Sequence, residues 1–476
     1  MIKLHGLSRA AMLLLVICLL AACSGLPVKP PKPELNSCRV GGGYLAKCGS
    51  LSVFEDRLLQ RGRKIDLQIA VVPARSDQPA PDPIFVVVGG PGASAIESSD
   101  YYMAILGPAN ELRDVVFVDQ RGTGGSHMLE CPEPLEPERQ AEAVRKCVPG
   151  LDGDPRAYTT AWNMDDLDDV RAALGYDRIN LYGGSYGGAA MLVYILRHGE
   201  HARTAAMEGT SLLDVPLLET WPLTSQKALD SILARCEADA GCHSAFPNVR
   251  QEFAETLTRL KQTPATTPVL EMGKPVVLTS EAFTVLVHRA LASTQTAVLV
   301  PKLIHLIYLE DWKGLAALIA PYQSDDSAEP KWSMMNLTIL CHEEWARLRR
   351  SDVTAERAVS YLTYDAVRKL VAPEDVCAAV PRPKEAALYG PLRNSPVPIL
   401  FINGDADPQD PPGNVARAKV RYPNSLSVVA PGQAHSFTGL DCHGSILKDL
   451  FARGSIDGLN TDCLAQVELP AFDTGK

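Results

Sequence analysis

Positive charge is in short supply in this chain: 46 lysines and arginines stand against 56 aspartates and glutamates, for a formal net charge of −10. A nucleic-acid groove needs a basic stripe to displace counterions, so nucleic acid is excluded as a partner. After residue 20 there is no apolar run long enough to cross a bilayer as a helix. Internal repeats are absent, and the one low-complexity tract is a short proline-rich stretch. No two cysteines show the two-residue spacing of a zinc knuckle, which argues against a structural metal. At 46% hydrophobic residues the composition is that of an ordinary globular chain, which rules out disorder, collagen and coiled coil.

The one long apolar run lies at the N-terminus. Residues 1–9 carry Lys3 and Arg9 and no acid, residues 10–20 are continuously apolar, and Leu20-Ala21-Ala22-Cys23 follows. The run is too short to span a membrane and reads as an export signal. Small residues just before a cysteine resemble the bacterial lipobox, in which Cys23 would be diacylated and become the new N-terminus. A plain secretory signal with a coincidental cysteine and an uncleaved anchor are the alternatives. Cleavage before Cys23 would remove two bases and no acid, taking the net charge to about −12. Pro27-Val28-Lys29-Pro30-Pro31-Lys32-Pro33 then predicts a stiff spacer within a tether at 23–37. Ser24 after the lipid site favours the outer membrane by resemblance to known sorting, so the expected location is the cell envelope, facing the periplasm or the surface.

Export changes the reading of the remaining cysteines. Without Cys18 in the signal and Cys23 at the lipid site, ten remain, an even number for an oxidising compartment. They fall as close sequential pairs: Cys38 with Cys48, Cys131 with Cys147, Cys236 with Cys242, Cys341 with Cys377, and Cys442 with Cys463. Five local disulfides are expected.

Short runs rich in branched residues at 65–72, 85–88, 115–118, 179–182, 397–402 and 426–429 predict strands, and 165–174 and 189–197 predict helices. Near-continuous apolar strands alternating with helices imply a mostly parallel sheet covered on both faces. Between 212 and 393 long helical segments dominate, which reads as a cap inserted before the last two strands.

The chemistry-bearing motifs sit at strand ends. Gly183-Gly184-Ser185-Tyr186-Gly187-Gly188 follows the 179–182 strand and opens a helix, the setting of a strained nucleophile turn. Gly89-Gly90-Pro91-Gly92 follows the 85–88 strand and suits an oxyanion loop. Pro91 has no N–H, so the expected donors are the backbone amides of Gly90 and Tyr186. Asp119-Gln120-Arg121-Gly122 follows the next strand, with Arg121 expected to brace the oxyanion loop. A serine base and its orienting acid should follow in the order Ser, Asp, His. Asp407, in Asn403-Gly404-Asp405-Ala406-Asp407-Pro408, is the acid, and Asp405 and Asp410 read as capping or turn residues. His435, in Gly432-Gln433-Ala434-His435, is the base. His443, which also lies beyond the last strand but adjoins Cys442, reads as a surface or packing residue, and so do the seven earlier histidines from His127 to His342, which chain order puts in the wrong places.

Taken together these five motifs resemble the prolyl and tripeptidyl aminopeptidase family of serine hydrolases, over nearly all of 38–463. The resemblance implies an α/β-hydrolase fold, and with the patterns above it divides the chain into a signal at 1–22, a tether at 23–37, core segments at 38–211 and 394–476 and a cap at 212–393. It implies the triad Ser185, Asp407 and His435, no metal or other cofactor, and peptide substrates cut at free N-termini. Esterase or lipase chemistry on the same scaffold is the alternative. An exopeptidase needs a carboxylate to hold the substrate ammonium. Glu343, in Cys341-His342-Glu343-Glu344-Trp345, resembles the family's amine-binding region, and Glu208 is a second candidate. The sequence departs from the family at Gly125, where arginine is usual, and at Gln409 and Asp410, where valine and threonine are usual.

Overall fold

The computed structural model describes residues 31–134, 137–213, 215, 217–271, 274–322, 331–347, 360–371, 373–387, 395–418, 422–437 and 442–475. The export signal, Cys23 and most of the expected proline spacer lie outside them.

Nine strands form one sheet: β1 (Asn36–Arg39), β2 (Leu45–Phe54), β3 (Lys64–Val72), β4 (Ile84–Val87), β5 (Val115–Val118), β6 (Ile179–Ser185), β7 (Ala202–Thr210), β8 (Ile399–Gly404) and β9 (Ser425–Ala430). Their order is β1-β2-β3-β5-β4-β6-β7-β8-β9. Strands β4 to β9 pair in parallel, whereas β1, β2 and β3 form an antiparallel margin joined to β5. The chain enters β1 at Asn36, inside the stretch expected to be tether.

Every residue of β4 and β5 is buried, as expected of parallel strands sandwiched between helices. One face packs against α2 (Thr160–Leu174) and α3 (Tyr186–His198), and the other against α1 (Ser99–Leu106) and α6 (His443–Arg453). Helix α2 begins where Thr159 turns its side chain back to accept from the Trp162 N–H, and it ends on Gly175, whose φ of 90° is left-handed.

The insertion has a core of its own, built on α4 (Leu217–Ala238), α5 (Ser280–Leu291) and the helices Val249–Gln262 and Val300–Tyr308. It also holds a hairpin of Ala265–Glu271 and Lys274–Leu278. Not all of 212–393 belongs to this second body. Trp332, Met334, Met335, Leu337 and Ile339 are buried in the core of the main sheet, and Lys331–Ser333 pairs with Glu130–Pro132. Among the described residues, no helix is long and apolar enough to cross a membrane.

Cysteines 38 to 463 are joined in sequence order, 38–48, 131–147, 236–242, 341–377 and 442–463, with Cα separations of 5.1 to 6.3 Å. Those separations lie within the span a disulfide can bridge.

Candidate active site

Ser185 ends β6 and stands immediately before α3, with φ 56° and ψ −134°. This backbone is costly for a residue with a side chain, and it is held by crowding on both sides. A Cβ on Gly187 would lie 2.1 Å from the carbonyl oxygen of Val87, and one on Gly183 would lie 1.9 Å from the same atom. Bare glycine therefore lets the turn press against β4, and that pressure projects the serine. The oxyanion loop passes just as close. A Cβ on Gly89 would stand 2.9 Å from Ser185 Cβ and 3.5 Å from its Oγ. Gly90 and Tyr186, the expected donors, thus flank Ser185 on the loop side and the helix side.

His435 Nδ1 lies 2.9 Å from Asp407 Oδ2. The other carboxylate oxygen of Asp407 accepts the N–H groups of Gln409 at 2.7 Å and Asp410 at 3.0 Å. His435 lies against β7 next to the strand position that meets the elbow: a Cβ on Gly209 would lie 3.1 Å from His435 Nδ1, and the neighbouring Thr210 pairs in register with Ser185. Burial alone would lower the proton affinity of His435, but the carboxylates of Asp407, Asp410 and Glu208 raise it well above the ordinary histidine value.

Several expectations need correction. Asp410 is no mere turn residue: it is 2% exposed, accepts from Ser211 Oγ at 3.1 Å and places Oδ2 4.0 Å from His435 Nδ1. Asp405 does act in a turn, accepting the Gly432 N–H and so tying the acid loop to the base loop. Arg121 does not brace the oxyanion loop. Its guanidinium forks Asp166 on α2 at 2.6 and 2.8 Å and donates to the carbonyls of Glu55 and Ala157. The brace is Asp119, which accepts from Ser94 Oγ, from the Ile96 N–H beyond the glycines and from the Gly125 N–H.

Glu343 is buried, and Thr160 occupies both its oxygens, donating from N at 3.0 Å and from Oγ1 at 2.5 Å. The carboxylate thus closes the first turn of α2, while Thr160 Oγ1 also meets the Tyr186 hydroxyl at 2.8 Å. Burial raises its pKa to about 7 against the pull of those hydrogen bonds. Glu208 is differently placed. It ends β7 beside the elbow, accepts from the Tyr101 and Tyr182 hydroxyls at 3.2 and 3.0 Å, and its charge reaches His435. His443, expected on the surface or in packing, is buried 3.7 Å from Glu208.

Residues of the 212–393 insertion grip each of these loops through small polar side chains that no motif revealed. Thr224 on α4 donates to the Pro408 carbonyl at 2.5 Å, Thr294 Oγ1 accepts the Ala434 N–H at 2.8 Å, and Asn336 donates to the Pro91 carbonyl at 2.6 Å. Beside them Ser225 Oγ meets His288 Nδ1 at 2.8 Å, and burial lowers the pKa of His288 to about 4. Among the described residues one group, Asp168, His198 and His201, has the mutual spacing of metal ligands. Arg171 already forks that aspartate at 2.6 and 3.0 Å, which leaves its lone pairs poorly placed for an ion.

Residues 82–277, which include Ser185, match the family described as alpha/beta hydrolase fold. The fold is that of the α/β hydrolases. Within this α/β-hydrolase frame, residues 364–463, which carry Asp407 and His435, match the family described as TAP-like protein. Among curated proteins, a proline iminopeptidase of Lactobacillus delbrueckii subsp. lactis is 33% identical over 115 residues, 24% of this chain and 30% of that one. The serine protease Hip1 of Mycobacterium tuberculosis is 25% identical over 242 residues, 45% of each chain. A tripeptidyl aminopeptidase of Streptomyces lividans is 27% identical over 190 residues, 34% of this chain and 35% of that one. The matched stretch thus spans less than half the length of each relative. These relatives are named as peptidases, and the chain has an α/β-hydrolase fold and is similar to them over part of its length.

Proposed function

We propose that the protein is a serine peptidase that removes residues from free peptide N-termini. The observation that carries this reading is Glu208, a carboxylate at the end of β7 beside the nucleophile elbow, whose field reaches His435. A cationic substrate terminus brought there gains from a charge shielded from water, and a neutral acyl ester does not. The names of the relatives point the same way. Both carboxylates already accept a hydrogen bond on each oxygen, Glu343 from Thr160 and Glu208 from Tyr101 and Tyr182; we assign the ammonium to Glu208 because it adjoins Gly184 of the elbow and its charge reaches His435, and leave Glu343 the task of holding α2 against Tyr186.

In this reading His435 Nε2 takes the Ser185 hydroxyl proton as Oγ bonds to the scissile carbonyl carbon. The negative charge formed on the carbonyl oxygen is held by the N–H groups of Gly90 and Tyr186. The imidazolium, oriented by Asp407, then gives its proton to the departing amine as the C–N bond breaks. Water attacks the acyl-enzyme by the same route and returns the proton to Ser185.

The test is a panel of free and N-blocked amino-acid and peptide amides set beside short acyl esters, with wild type and Glu208→Gln. Wild type should prefer free amines, and Glu208→Gln should raise KM for them about tenfold while leaving blocked substrates within about twofold, the range expected of one shielded ion pair. Hydrolysis of esters alone would defeat the peptidase reading, and equal losses on free and blocked substrates would defeat the role of Glu208.

We further propose that the mature chain is exported and held at the cell envelope, its outer membrane favoured, by lipid on Cys23. Five cystines and the lipobox-like Leu20-Ala21-Ala22-Cys23 support this. Mature protein unfolded without reductant should show no reactive thiol, because ten sulfurs are paired and the eleventh carries lipid. Several reacting thiols would overturn both export and pairing.

A further inference from the structure

Two carboxylates, not one, face the proton-bearing side of His435. Asp407 Oδ2 lies 2.9 Å from Nδ1 and Asp410 Oδ2 lies 4.0 Å from the same atom. The second is as well held as the first. Its backbone N–H donates to Asp407 Oδ1, its carbonyl accepts from Asn403 Nδ2 at 2.8 Å, and its side chain accepts from Ser211 Oγ on the segment leaving β7. Ser211 is fixed in turn, its N–H donating to the Ser185 carbonyl at 3.2 Å. A hydrogen-bonded path therefore runs from the nucleophile's own backbone to the Asp410 carboxylate. A turn residue needs no such burial and no such path.

We propose that Asp410 is a second carboxylate for His435, adding its charge to that of Asp407 as the imidazolium forms and so tuning the base that activates Ser185. The proposal rests on the hydrolase reading only in taking His435 as that base. At 4.0 Å the contact is too long for a hydrogen bond, so Asp410 acts through its field, and in a buried site such a field is strong. The groups facing the pair are Asp407 on the acid loop, Glu344 on the segment 340–344 and Glu208 near the end of β7, with His288 of α5 near His435. Arg347 partners Glu344 at 2.5 Å. Burial makes Asp410 hard to ionise, and Asp407 and Glu344 add to that, while the His435 imidazolium opposes it. Asp410 is thus most readily charged when His435 is protonated, the state its charge stabilises. The two groups titrate as a unit.

The sign follows from the charge. Removing Asp410 removes negative charge beside Nδ1, so His435 gives up its proton more easily and the free base survives to lower pH. The same loss leaves the imidazolium of the transition state less stabilised, so the rate on the plateau falls. The two pH profiles should therefore cross.

The experiment is the pH dependence of fluorophosphonate labelling of Ser185 in wild type, Asp410→Asn and Asp410→Ser, a readout indifferent to whether the natural substrate is a peptide or an ester. Asp410→Asn keeps the shape and can still pair with Ser211, and Asp410→Ser keeps a hydroxyl partner if the amide is not tolerated. In both variants the acid limb should move to lower pH by about half a unit or more, making labelling about threefold faster below the limb and slower above it. A curve that drops without moving along the pH axis would show a purely structural role and overturn the proposal. Should wild type resist labelling, the triad reading fails on its own. The titration of carbon-13-labelled His435 in Ser185→Ala, with and without Asp410→Asn, still decides the matter: a midpoint unchanged by the second substitution overturns the proposal, and a lowered one supports it.

Discussion

Replacing Asp407 with asparagine is expected to lower kcat by about 10⁴-fold with little loss of fold, because the substitution turns the base the wrong way round. One oxygen of Asp407 accepts two backbone N–H groups, from Gln409 and Asp410, and only an oxygen can fill that place. The asparagine amide nitrogen is therefore forced toward His435 Nδ1, where it donates. Nδ1 must then present a lone pair, which puts the imidazole proton on Nε2. An imidazole protonated at Nε2 cannot take the proton of Ser185. Asp410 does not rescue the tautomer, since 4.0 Å from Nδ1 is beyond hydrogen-bonding distance. Steady-state turnover of the best substrate and the rate of fluorophosphonate labelling should fall together, toward the floor set by Ser185→Ala. A variant retaining a tenth of wild-type turnover would show that Asp407 is not the orienting acid.

What the sequence makes visible here depends on how local each feature is. The elbow, the oxyanion glycines and the Asp407 and His435 loops each follow directly on a strand end, so a branched apolar run and a few residues after it mark each of them. The pairing of cysteines is local too. Strands β1 and β2 have no such signature: β2 alternates Leu45, Lys47, Ser50 and Ser52 with its buried positions at the sheet margin, and a search for continuous branched runs passes over it. The grip of the 212–393 insertion on the loops is invisible for another reason. Thr224 meets Pro408 across 184 positions and Asn336 meets Pro91 across 245, with nothing in either local sequence to mark the partner. Glu343 and Asp410 are alike in this: each is read from its neighbours in the chain, whereas their side-chain contacts, Glu343 with Thr160 and Asp410 with Ser211, are made across 183 and 199 positions.

A large loss of stability is expected at Gly187, against the ordinary rule for its position. Inside the first turn of a helix, alanine for glycine normally gains about 1 kcal/mol through helix propensity. Here the new methyl would be built 2.1 Å from the Val87 carbonyl oxygen, far inside contact distance. The obstacle is backbone of a central, fully buried strand, so no side-chain rotation relieves it. Either α3 lifts off β4, opening space beneath the elbow, or β4 shifts against both its neighbours. Overpacking of this kind costs about 1 to 3 kcal/mol where side chains can give way, and more where they cannot. A net loss of about 3 kcal/mol or more is therefore expected for Gly187→Ala, with Ser185 reactivity falling further than folding because the elbow moves first. Gly175→Ala is the control. That glycine caps the C-terminus of α2 at positive φ, unlike Gly187, and a Cβ there meets nothing within 4 Å, so only the left-handed backbone is penalised, by about 1 kcal/mol. Urea midpoints of the two variants separate the causes: a Gly187→Ala protein no less stable than Gly175→Ala would mean that β4 yields freely and that the elbow is not held by this contact.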